Sequence, residues 1–89
     1  MSIEEVQAKL DAAEAVFNVQ LRSFKLADAN YRRSKSNKNA VAFVQASEAF
    51  DAIATECRDL RDALAKAHRM ARREAWHEAR NAPEQMALF

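Results

Sequence analysis

From Ala40 to Arg80 the apolar residues return every three or four positions, at Phe43, Ala46, Phe50, Ile53, Cys57, Leu60, Leu64, Ala67 and Ala71, with neither Gly nor Pro between them. That spacing is a heptad seam and predicts one long amphipathic helix over about 40–80. The helix is expected to stop at Asn81-Ala82-Pro83, because the residue before a proline is disfavoured in the helical region. A second seam precedes it: Ile3, Val6, Leu10, Ala13, Phe17, Phe24, Ala27 and Tyr31, with only Gln20 out of pattern. It predicts a first helix over about 3–33. Ser2-Ile3-Glu4-Glu5 opens that helix as a capping box. The Ser2 hydroxyl accepts from the Glu5 amide, and the Glu5 side chain reaches back to the Ser2 amide. Met1 and Val6 stand at staple positions, and Glu4 and Glu5 suit the positive end of the helix dipole.

Between the seams, Ser34-Lys35-Ser36-Asn37-Lys38-Asn39 has no apolar residue. Ser and Asn compete with the helical backbone and favour caps, so 34–39 is expected to be a loop. Ser36 or Asn37 would cap the second helix. With no Gly in the chain, Asn37 or Asn39 is expected to take any left-handed conformation. So short a loop makes the helices antiparallel neighbours. The register agrees, because one fold point near residue 37 pairs Tyr31 with Phe43, Phe24 with Phe50, Phe17 with Cys57 and Leu10 with Leu64. The second row pairs Ala27 with Ala46, Ala13 with Leu60 and Val6 with Ala67. The fold class is therefore all-α: an antiparallel, coiled-coil-like two-helix hairpin over 1–82, followed by a flexible peptide at 83–89. Helix 2 is expected to project about 13 Å beyond helix 1, through Arg72 to Arg80.

Six large apolar residues lie off the seam: Val16, Val19 and Leu26 on helix 1, and Val41, Val44 and Met70 on helix 2. A lone hairpin would leave them in water and would be marginal. Either two hairpins associate into a dimeric four-helix bundle, or these residues meet another protein.

Composition narrows the function classes. The chain has 89 residues, a formal net charge of +1, one Pro and one Cys. A lone cysteine builds no disulfide framework. No apolar run spans a bilayer, and the acidic first residues lack a signal-peptide pattern. A cytoplasmic protein without membrane contact is the expectation. Charge is clustered: Arg32, Arg33, Lys35 and Lys38 surround the loop, while Lys66, Arg69, Arg72, Arg73 and Arg80 gather at the far end beside Trp76, His68 and His77. Phosphate contact with Trp76 stacking is one reading. A solvated face with i,i+4 pairs such as Asp28–Arg32 and Asp62–Lys66 is the other.

Glu74-Ala75-Trp76-His77 has the Glu-x-x-His spacing of carboxylate-bridged di-iron bundles, but helix 1 offers no seam carboxylate to complete such a site. Cys57 reads as a small buried hydrophobe rather than a nucleophile, with no histidine on its face. No phosphate-binding loop and no nucleophile–base–acid set is present. The expectation is a non-enzymatic protein with no catalytic residue, no metal and no cofactor.

After Pro83 come Glu84 and then Gln85-Met86-Ala87-Leu88-Phe89, two large apolar residues beyond the helix. Exposed apolar groups on a terminal segment often mark a docking peptide. These five residues resemble the bacterial sliding-clamp-binding pentapeptide, typically Gln-Leu-Ser/Asp-Leu-Phe. The resemblance implies that Gln85 hydrogen-bonds at the lip of the clamp groove and that Leu88 and Phe89 fill its hydrophobic pocket. Met86 replaces the usual Leu, a tolerable exchange for a flexible apolar side chain, and Ala87 departs from Ser/Asp and gives up a polar contact. It further implies a small adaptor or inhibitor of the replication clamp, of a kind a phage or mobile element could encode. Two other readings stand beside it: a helical interaction module working through its apolar side faces, and a small nucleic-acid-binding protein using its basic ends.

Overall fold

The structure, a computed structural model, describes residues 2–81. Two helices make up the described chain: α1, Ile3–Arg33, and α2, Asn37–Asn81. They run antiparallel and pack along one seam, in a rod of 76 × 18 × 14 Å. Among the described residues there is no strand.

The start of α1 forms as the capping residues dictate, with one difference. The Ser2 hydroxyl accepts from the Glu5 amide at 3.1 Å. The return bond is from the Ser2 hydroxyl to the Glu5 carboxylate at 3.2 Å, not from the Ser2 amide. A carboxylate accepts from either donor, and here it takes the hydroxyl. The expected staple partner Met1 lies outside the described residues.

The loop is shorter than its composition implies. Only Ser34–Ser36 leave the helical state, and α2 begins at Asn37, about three residues earlier than expected. Ser36 is the cap: its hydroxyl accepts from the Asn39 amide at 3.1 Å. No described residue has positive φ, so neither Asn37 nor Asn39 is left-handed. Asn39 does the work of a left-handed cap with its side chain instead. Its amide donates to the carbonyls of Ser34, at 2.8 Å, and Asn30, at 3.2 Å. The Asn30 carbonyl also accepts from the Ser34 amide at 3.0 Å, so a residue in the first turn of α2 adds a second bond at the end of α1 and a partner for the Ser34 carbonyl just beyond it. Ser34 itself stays extended, φ −145°, ψ 110°.

Five aromatic rings then interleave from the loop inward. Tyr31 stacks on Phe43 at 5.6 Å, Phe43 meets Phe24 at 5.7 Å, Phe24 stacks on Phe50 at 5.5 Å, and Phe50 meets Phe17 at 5.1 Å. The expected neighbours Tyr31–Phe43 and Phe24–Phe50 are in contact. Each inner ring, however, sits almost midway between two rings of the other helix. The true fold point is therefore near Lys35, the middle of the observed loop, rather than residue 37. Half-heptad staggering sets large residues opposite small ones: Phe24 comes level with Ala46, Phe43 with Ala27, and Cys57 with Ala13. Aromatic rings at full heptad opposition would collide, whereas staggered rings gain offset contacts. Below the rings, Ala13, Ile53 and Cys57 form the buried cluster, with Phe17 and Leu60 packed on it.

Candidate functional site

The core is narrow. Its buried apolar residues are Val6, Leu10, Ala13, Ala27, Ile53 and Cys57. Val16, Val19, Leu26, Val41, Val44 and Met70 are all about half exposed or more, as is Trp76. With Trp76, the six off-seam residues are the exposed large apolar side chains among the described residues, and the structure divides them among separate places.

One lateral side of the rod carries Val16. It lines an open groove with Lys9, Ala12 and Ala13 of α1 and with Ile53, Glu56 and Leu60 of α2. Val19 and Leu26 continue the row of Ala12 at heptad spacing and lie on the same side. Met70 is also on that side but at the far end, where it lines a groove with Ser2, Ile3, Ala67, Ala71 and Glu74. The opposite lateral side carries the ion pair of Glu14 and Arg61, 3.8 Å apart. Val41 and Val44 belong to neither edge of the Val16 groove. With Ala40 and Gln45 they form a small apolar surface on α2 next to the loop.

The two basic clusters differ in kind. At the loop, Arg32 pairs with Asp28 at 3.2 Å, Arg33 donates to the Asn30 side chain at 3.1 Å, and the Lys35 ammonium lies 6.0 Å from the Tyr31 ring centroid. Lys38 is exposed beside them. These cations serve the hairpin end. In the second cluster, Ser2 and Ile3 reach only as far as Ala67–Glu74, so α2 runs on past α1. Arg69, Arg72, Arg73 and Trp76 are exposed there. Helical spacing puts Arg69 and Arg73 on one face, and Arg72, three residues after Arg69 and four before Trp76, lies at its edge. Arg80, which charge alone had grouped with them, lays its guanidinium 5.1 Å from the Trp76 ring centroid.

No family model matches the chain, and no curated protein or solved structure matches it significantly. The reading of this molecule therefore rests on its own residues.

Cys57 is fully buried and free. His68 is exposed, and Glu74 and His77 lie on the exposed overhang. Among the described residues, no three His, Cys, Asp or Glu side chains are placed to hold a metal ion, and no helix is long and apolar enough to cross a membrane. Of the expected i,i+4 pairs, Asp28–Arg32 forms, while the three ion pairs among the described residues do not include Asp62–Lys66. Gln85, Met86, Leu88 and Phe89, the clamp-like peptide, lie outside the described residues. The sequence reasoning missed the side-chain role of Asn39 and the pairing of Arg80 with Trp76. Both were available as i+5 and i+4 spacings of a donor and its acceptor.

Proposed function

We propose that this chain is a small non-enzymatic interaction protein that docks on the bacterial replication sliding clamp through Gln85-Met86-Ala87-Leu88-Phe89, as an adaptor or a competitive inhibitor. The observation that carries the reading is that pentapeptide, with its Gln and its paired Leu-Phe at the spacing of the clamp-binding motif. In this reading Gln85 bonds at the groove lip, and Met86, Leu88 and Phe89 supply the buried apolar area. The rod is the carrier. Occupying the groove is sufficient to exclude any polymerase that uses the same site, and a cytoplasmic phage or mobile-element product would act in this way.

The carrier is a homodimer in this proposal, two hairpins joined as a four-helix bundle through the side that holds Val16, Val19 and Leu26. The exposure of Val16, Val19 and Leu26 supports this, since a lone hairpin leaves them in water. The side is apolar in the middle and rimmed by Lys9 and Glu56, so it suits an isologous contact.

A second reading is favoured by the same exposed side chains: the lateral face is a docking surface for a different protein, and the tail is incidental. Binding of the whole chain to immobilised clamp separates the two. The Leu88→Ala, Phe89→Ala variant is expected to lose binding by at least a hundredfold, while Val16→Glu keeps the tail's affinity. Loss with Val16→Glu and none with the tail variant would replace the first reading by the second.

A further inference from the structure

Lys66, Arg69, Arg73, Trp76 and Arg80 recur every three or four residues along α2 and therefore share one stripe of the helix. Lys66, Arg69, Met70 and Arg73 line a single shallow groove at its start. The stripe turns away from α1. Ala67 and Ala71 face Ser2 and Ile3 across the seam, and Glu74 lines that same seam-side groove. Glu78 follows one turn after Glu74, so both acids of the overhang lie off the stripe. Every residue of the stripe is exposed, and none of its four cations enters an ion pair among the described residues. The loop cluster contrasts with it, since Arg32 there is already bound to Asp28.

The aromatic member is held ready. Trp76 is 56% exposed, with the Arg80 guanidinium 5.1 Å from its ring centroid and the His77 ring edge-on at 5.2 Å. A helix this exposed gains nothing from an indole in water. A cation-backed indole flanked by unpaired arginines is instead the combination that binds a phosphate chain and its bases.

We propose that this stripe binds the phosphodiester backbone of nucleic acid, with Lys66, Arg69, Arg73 and Arg80 on phosphates and Trp76 stacking on an unpaired base. The stripe extends for about 21 Å at 1.5 Å per residue, long enough for its four cations to engage separate phosphates. Four released counterions give a log–log salt slope of about −3.6 for duplex and about −2.8 for single strands. The proposal does not rest on the clamp reading, because the tail variant above leaves the stripe unchanged.

The test is a titration of the full chain with 20-nucleotide duplex and single-stranded DNA, read by anisotropy of a labelled strand. With unlabelled strands, emission of Trp76, the only tryptophan, gives a second readout. Raising salt from 50 to 200 mM is expected to weaken binding about 50-fold for the single strand and about 150-fold for duplex. Arg69→Glu, Arg73→Glu is expected to weaken it at least tenfold with helix content unchanged by circular dichroism. Arg32→Glu, Lys35→Glu, at the other end of the rod, is expected to change it less than twofold. Quenching of Trp76 by the single strand supports stacking, and a chain that binds both strands without quenching retains the phosphate contact and removes Trp76 from the site. No binding at 50 mM salt, or equal losses in the two charge-reversed variants, would overturn the proposal.

Discussion

The Asn39 side-chain amide donates to the Ser34 carbonyl at 2.8 Å, and so closes the hairpin without a glycine. A second bond reaches the Asn30 carbonyl at 3.2 Å. One side chain thus replaces the left-handed residue that commonly ends a helix, and the turn tightens to three residues. Asn39→Ala removes both bonds and gives the Ser34 carbonyl over to water, while the Asn30 carbonyl keeps the Ser34 amide. A loss of about 1–2 kcal/mol is expected, which lowers the melting temperature by about 5–15 °C for a domain of this size. Asn39→Asp is expected to be worse, since it sets a carboxylate against two carbonyls. Thermal melts followed by circular dichroism check both.

The buried thiol gives a second prediction. Cys57 has no exposed area and packs with Ala13 and Ile53. Reaction with a thiol reagent should be blocked in the native protein and should follow the opening of the hairpin, accelerating with denaturant. Immediate labelling in native buffer would contradict the burial of Cys57 between the helices. Ala13→Leu, which adds volume level with Cys57, is expected to cost about 1–3 kcal/mol by overpacking.

The apolar side that holds Val16, Val19 and Leu26 is expected to be the dimer contact. Sedimentation equilibrium should give about twice the chain mass of 10.1 kDa. Val16→Glu, Val19→Glu should bring the mass to that of one chain, because two charges cannot be buried there unpaired. Val41→Glu, Val44→Glu, on the separate surface near the loop, should leave the dimer intact. A monomer in the parent protein would contradict the assembly.

How much of this was legible in the sequence depended on which physics carried the signal. Heptad spacing located both helices, and α1 spans Ile3–Arg33 as the spacing predicts. The six off-seam apolar residues were all found exposed, because burial in a two-helix rod is decided almost wholly by angular position. Register was only half legible. Pairing like with like around residue 37 found true neighbours, but it ignored ring volume, which drives the half-heptad stagger of Phe24 between Phe43 and Phe50. Composition also over-called the loop. Asn37, Lys38 and Asn39 read as breakers, yet Ser36 caps a helix that starts with them. Grouping the cations by sequence also hid their angular order, since Arg72 and Arg73 are adjacent in the chain yet point about 100° apart on the helix.

The central claim is that Gln85-Met86-Ala87-Leu88-Phe89 is a clamp ligand. Fluorescence polarisation tests it most directly, with a labelled Glu84–Phe89 peptide as probe, a purified bacterial sliding clamp as receptor, and the whole unlabelled chain as competitor. The account predicts micromolar or tighter binding, displacement of the probe by the whole chain, and no displacement by the Leu88→Ala, Phe89→Ala chain. Absence of binding up to about 1 mM, a free energy weaker than about −4 kcal/mol, would contradict it.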